Sequence, residues 1–205
     1  MTATTPDNLS LSPAAERVAL IALEQFAEHG YDAASLNDIA IGAGIRKASL
    51  YAHFKGKDEL FGVVLVLALE AEHHYVEAQF AGEKSTTAGQ EYLANLKTRY
   101  TTSNALRFLL RAAFYPPQTL RQPVMSGFES YLASIRHAFQ AALARSSPQV
   151  SPRASGILTE SYMAIIDSLY VELIYGNEDH YERRFKALRY LSRVVDLRLL
   201  AEGDA

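Results

Sequence analysis

The sequence predicts an all-α protein of about nine helices. Three observations carry this. Only 7 of the 205 residues are proline, and they fall between apolar-periodic segments rather than within them. No alternation of Val, Ile and Thr lasts long enough to make a strand. Apolar residues recur every three to four positions, bracketed by residues that cap helices.

Each element has its own signal. Residues 1–11 are polar and read as a flexible N-terminus. Ser12 and Pro13 suit an N-cap and a first helical position. Val18, Ile21, Ala22 and Phe26 then form an apolar stripe, and Gly30 is a C-terminal stop. Ser35 with Asp38 resembles a capping box opening a second, short helix. Gly42 and Gly44 mark a turn, and a third short helix covers 47–54. Asp58 and Glu59 complement the dipole at the start of a long fourth helix over 57–80. AGEKSTTAGQ is a loop. Residues 88–114 are helical with a break near Ser103-Asn104, and Pro116-Pro117 stops the run. A helix over 118–145 carries Pro123 near its start, where it begins late or kinks. RSSPQVSPRASG is a second loop, and helices over 153–175 and 179–201 close the chain.

Composition excludes several classes. With 49% hydrophobic residues the chain can bury a sizeable core. A net charge of -3 excludes a polybasic protein but not a local basic patch. There is no cysteine, so disulfides, Cys–zinc sites and thiol catalysis are excluded. The longest apolar stretch, Phe61 to Leu69, is far short of the ~20 residues that cross a bilayer. The N-terminus has no basic segment followed by an apolar one, so no signal peptide is read and the expected location is cytoplasmic, with no membrane partner.

Charge is uneven. Residues 1–60 hold five cations and eight acids, yet Ile41 to Lys57 holds four of those cations and no acid. This window lies within SLNDIAIGAGIRKASLYAHFKGK, two short helices flanking a glycine-containing turn. That is a helix-turn-helix arrangement, whose second helix enters the major groove of DNA. Ala48 and Ser49 are small enough for close approach. Arg46 and Lys47 can reach bases or phosphates, and Tyr51, His53, Lys55 and Lys57 can donate to phosphates. Leu50 and Phe54 belong to the core.

RVALIALEQFAEHGYDAASLNDIAIGAGIRKASLYAHFKGKDELF, residues 17–61, resembles the TetR family of transcriptional regulators. The resemblance lies in FAEHGYDAAS, the D-I-A of the second helix, A-G-I before the third, S-L-Y-x-H-F and K-x-K-D-E-L-F. It implies a DNA-binding domain over 12–56 and a helical ligand-binding and dimerisation domain over 57–205, with helix 57–80 bridging them. The implied protein is a homodimer on a near-palindromic double-stranded operator. By matching position, Ser35, Tyr51 and Lys57 are implied phosphate contacts, His53 lies in the same stretch, and Arg46 to Ser49 are the base-reading face. Two departures stand out. Arg46 replaces a small hydroxyl residue, which removes a good N-cap, and Gly56 replaces a serine.

Beyond residue 60 the resemblance is looser. Between Tyr75 and Tyr175 lie 13 of the chain's 21 Tyr and Phe residues. Such a concentration suits an apolar ligand pocket with a few polar tips. Candidate lining residues are Tyr75, Tyr100, Phe108, Phe128, Tyr131, Tyr162 and Tyr170, with Arg107 and Arg111 one turn apart for an anionic group. The expected effector is small and hydrophobic or amphipathic. The penultimate helix is apolar on nearly every face. The last helix carries Phe185, Leu188, Leu191, Val195 and Leu199 at helical spacing. With Ile165, Leu169 and Leu173 these form the expected dimer interface, two helices from each subunit.

Two other functions compete with this one. A helical-bundle enzyme would need catalytic motifs, and GxSxG, P-loop, GxGxxG and HExxH patterns are absent. Glu70 and His73 form a single E-x-x-H where bundle metal sites need two. No catalytic residue, metal or cofactor is therefore expected. In the other reading the C-terminal domain binds a protein partner or only dimerises; a sealed core without a cavity would favour it. The sequence therefore points to a DNA-binding regulator, a repressor released by a small molecule.

Overall fold

A computed structural model describes residues 11–83, 85 and 87–201, with side chains described to Val195. The remaining residues, including most of the polar segment 1–11 and the side chain of Leu199, lie outside that description. Among the described residues there are nine α-helices and one 3-10 turn, and no strand. The helices are α1 (Pro13–Ala33), α2 (Leu36–Gly42), α3 (Lys47–His53), α4 (Lys57–Ala81) and α5 (Gln90–Thr102). They continue with α6 (Asn104–Phe114), α7 (Arg121–Ser146), α8 (Pro152–Tyr175) and α9 (Glu178–Ala201). The short turn is Gln118–Leu120.

Local chemistry sets the ends. Ser12 caps α1 by accepting from the Ala15 amide, and Pro13 occupies the first turn. Gly30 breaks α1 at φ 77° and ψ 177°, after which one further turn reaches Ala33. Ser35 accepts from the Asn37 and Asp38 amides, at 3.2 and 3.5 Å. α3 has Arg46 at its N-cap and no side-chain capping bond, the consequence of placing a cation there. Pro123 neither delays nor breaks α7. It lies in the first turn, where an amide would have no intrahelical acceptor.

Ser103 separates α5 from α6 and accepts from the Leu106 amide at 3.2 Å in a buried setting. Ser103→Ala is expected to cost about 1 kcal/mol, the usual worth of an N-cap hydroxyl, measured as a lower midpoint in urea unfolding.

The chain forms two compact units. The first comprises the residues up to Ala71 together with Ser103–Phe128, and so takes in α1–α3, the first part of α4 and all of α6. Its core is built from Val18, Ala22 and Phe26 of α1, Ile39 of α2, Leu50 of α3, Leu60 and Phe61 of α4, and Phe108 and Leu109 of α6. Three aromatic rings sit at its centre: Phe61 lies 5.1 Å from Phe26 and 4.9 Å from Phe108.

The second unit comprises Glu72–Thr102 and Glu129 onward. Three tyrosines meet inside it. The Tyr92 hydroxyl lies 2.8 Å from that of Tyr131 and 3.2 Å from that of Tyr170, and the latter two are 2.9 Å apart. Each phenol satisfies the others, and burial raises all three pKa values. Nearby, fully buried Glu72 pairs with Arg99 at 2.6 Å, and the Arg99 guanidinium lies 4.1 Å from the centre of the Tyr75 ring. Lys97 ties α5 to α9 through Glu178 and Glu182.

Candidate nucleic-acid interface and ligand cavity

α3 is anchored by one side and displays the other. Leu50 is fully buried and Phe54, just past the helix, is 3% exposed. Arg46, Lys47, Ala48, Ser49, Tyr51, His53 and Lys55 are all exposed, Tyr51 at 49%. A phenol left half in water on a seven-residue helix is available to an external partner. The turn before α3 is held from outside the motif: Arg17 of α1 donates from Nε to the Ala43 carbonyl at 3.1 Å. No sequence pattern marked that residue.

Two of the selected side chains have work inside the unit. Ser35 is half-buried and its hydroxyl caps α2. Lys57 is half-buried; its Nζ donates to the Asp32 carbonyl at 3.1 Å and lies 4.6 Å from the centre of the Tyr31 ring. Burial lowers the Lys57 pKa, while Asp32 and Asp58 oppose that shift. Burial, reinforced by donation to the Asp58 carboxylate, pushes the Tyr31 phenol up to about 12. The Lys55 amide donates to Glu59 at 2.5 Å, so the stretch joining α3 to α4 is fixed by the first turn of α4. The exposed cations of this stretch are thus Arg46, Lys47 and Lys55.

The second unit contains a cavity of about 340 Å³. Its walls come from the start of α5, the end of α7, and α8 and α9, with Leu93, Phe139, Leu143, Leu158 and Tyr162 as its larger apolar surfaces. Phe139 and Tyr162 stack at 4.1 Å. The Tyr162 hydroxyl donates to the Gly89 carbonyl at 3.0 Å, and the Tyr162 ring lies where a Cβ on Gly89 would be, 2.5 Å away. With φ at +71°, Gly89 has two reasons to be glycine.

Of the aromatics selected from the sequence, Tyr162 lines this cavity. Tyr131 and Tyr170 do not: they are consumed in the buried hydroxyl cluster. Tyr75 lies against Arg99 instead. Phe108 is core in the first unit, where with Arg111 it also borders a separate, more open cleft of about 740 Å³ beside Gly30 and Tyr31. Tyr100, Arg107 and Phe128 line neither space; Arg107 bonds to the Asn104 side chain.

The residues selected for dimerisation divide similarly. Leu169 has no accessible surface and Ile165 only 6%, because α8 is buried against its own unit; neither can meet a second copy. Ile165 and Val195 line the cavity. Leu173, Phe185 and Leu188 are half-buried and Leu191 is 58% exposed. Val171, Tyr175, Tyr190 and Val194, which are not among the expected interface residues, are also exposed on α8 and α9. Their signal was available: they are the large apolar residues on the faces opposite the cores of these helices.

Residues 21–64 match the family model described as bacterial regulatory proteins, tetR family. These residues are a TetR-family domain. The matched span contains α2, α3 and the turn joining them, the same elements that display Arg46 to Lys55. The chain is 30% identical over 101 residues to the HTH-type transcriptional regulator AcrR of Shigella flexneri, covering 46% of this chain and 45% of that one. It is 35% identical over 85 residues to the HTH-type transcriptional repressor ComR of Escherichia coli K12, covering 40% of each. The matches thus span under half the length of these relatives. The fold extends further: a crystal structure of a TetR transcriptional regulator from Legionella pneumophila superposes with a TM-score of 0.67 at 19% identity, over 89% of this chain and 99% of that one. The TetR-family domain is therefore set in a whole-chain fold shared with solved regulators. No helix among the described residues is long and apolar enough to cross a membrane.

Proposed function

We propose that the chain is a transcriptional repressor that binds a near-palindromic duplex operator as a homodimer and is released by a small hydrophobic or amphipathic effector. One observation carries the reading: the TetR-family domain leaves Lys47, Ser49 and Tyr51 of α3 exposed, with Arg46 and Lys55 exposed at its two ends, while Leu50 anchors the helix. Arg46, Lys47, Ala48 and Ser49 lie at the helix N-terminal end, the part of a recognition helix that meets base edges. Tyr51, His53 and Lys55 suit phosphate contacts, with Ser35 and Lys57 flanking them. The last two of these also serve the fold, so their loss is expected to affect stability as well as binding. Exposed Val171, Tyr175, Tyr190, Leu191 and Val194 support dimerisation through α8 and α9.

The cavity in the second unit supports a small-molecule effector over a domain that only dimerises. An effector acts by binding the DNA-incompetent state more tightly than the competent one. We assign its transmission to α4, a continuous helix with residues in both units.

The test is fluorescence anisotropy of a labelled duplex from upstream of the gene, against scrambled DNA at two salt concentrations. Sequence-dependent binding that weakens with salt is the expected result. Equal affinity for both duplexes, with no salt dependence, would contradict it. Tyr51→Phe removes one phosphate donor, so it is expected to weaken binding to all duplexes alike, by roughly 10- to 100-fold for a lost charge-assisted bond. A changed sequence preference in this variant would contradict the role given to Tyr51.

A further inference from the structure

We infer that the cavity of the second unit is a site for an amphipathic anion, a carboxylate or phosphate monoester on a short apolar body, held at its head by Arg189 and Arg193. The two arginines stand four residues apart on α9, hence on one face, and both line the cavity. Arg189 is steadied by Phe185, whose ring centre lies 5.4 Å from its guanidinium carbon. Ser192 lies between them in sequence, and Ser161 of α8 also lines the space, adding hydroxyl donors for the same head group.

No Asp or Glu is among the described residues that line the space. Several other cations of the unit have carboxylate partners: Arg184, also on α9, pairs with Glu172 at 2.7 Å, Lys97 with Glu178 and Glu182, and Arg99 with Glu72. Two guanidiniums at an apolar space without a lining carboxylate call for an anion from outside. The remaining walls carry no charge: they are the apolar side chains together with Thr87, Gln90, Ser146 and Ser147, and the one phenol, Tyr162, has its hydroxyl committed to the Gly89 carbonyl. Charge is thus confined to the arginine side, which suits one charged head on a largely apolar body. A volume of about 340 Å³ is at the small end of ligand sites, so the body is short.

The inference deepens the repressor reading by naming its effector class. The test is titration calorimetry of the whole chain with octanoate, octyl phosphate, octanol and octyltrimethylammonium, all below their aggregation concentrations. At least one anion is expected to bind tenfold or more tighter than octanol, with the cation weaker still; the tighter anion identifies the head. In Arg189→Gln/Arg193→Gln that advantage is expected to fall to twofold or less, with octanol affinity unchanged. Arg189→Lys/Arg193→Lys keeps the charge and is expected to retain the advantage. Loss of the advantage there too, with octanol affinity unchanged, would still support the site and make the guanidinium fork the recognising group. Equal affinity for anion and octanol, an advantage that survives in the glutamine variant, loss of octanol binding with the advantage, or no binding by any probe would each overturn the inference. Octanoate that binds but leaves DNA affinity unchanged would instead overturn release by effector and leave the anion site standing.

Discussion

Phe108→Ala is expected to lower the unfolding free energy of the first unit by about 3 to 5 kcal/mol. Phe108 is 1% exposed and contacts the rings of both Phe26 and Phe61, with centroid separations of 6.3 and 4.9 Å. Truncation leaves a void among three rings that belong to three different helices, and such a site collapses poorly. Urea unfolding monitored by circular dichroism measures it, with Tyr115→Ala as the control. Tyr115 is 61% exposed, so its loss is expected to stay within about 0.5 kcal/mol. The result also decides how Phe108 is used. A residue that serves chiefly to line a ligand space would change ligand affinity and leave stability nearly intact.

Arg99→Ala is expected to cost about 3 to 5 kcal/mol, for a different reason. Glu72 has no accessible surface, and the Arg99 guanidinium lies 2.6 Å from its carboxylate. Removing the arginine leaves a carboxylate in the interior of the second unit without its counter-ion. Removing both charges is expected to cost far less: Glu72→Leu/Arg99→Met fills the space with apolar atoms and desolvates no ion. Unfolding midpoints of Glu72→Leu, Arg99→Met and the double variant form the cycle that checks this. If the double variant were as unstable as Arg99→Ala alone, the cost would lie in lost packing rather than in an uncompensated charge.

The helices were legible because their determinants are local. Ser12-Pro13, Ser35, Ser103 and Pro116-Pro117 announce starts and stops within a few residues. Gly30, with its positive φ, breaks α1 as its position suggests. The exposed side of α3 was legible for the same reason: with Leu50 and Phe54 assigned inward, helical geometry turns Ser49 and Tyr51 outward. What Lys57 does was not legible, because its partners Asp32 and Tyr31 are 25 and 26 residues away, at the end of another helix.

The cavity was legible only as a tendency. A tyrosine that lines a cavity and one that is buried against two other tyrosines look alike in sequence, and it is the meeting of Tyr92, Tyr131 and Tyr170 from three helices that separates them from Tyr162. Arg189 and Arg193 resemble any solvated pair on an amphipathic helix until α8 is placed beside them. The dimer-face selection shows the same limit. Helical spacing marks a stripe, and a stripe on α8 is used first to bury Leu169 in its own unit.

The most direct test of the central claim, that the outward side of α3 reads duplex DNA, is selection from a pool of random duplexes by the whole chain. It requires no guess at the operator. Enrichment of an inverted repeat with half-sites about one helical turn, ~10 base pairs, or a multiple of it apart is the predicted result, lost in Arg46→Ala/Lys47→Ala. An unenriched pool, or the same motif enriched equally by that variant, would contradict the assignment of α3.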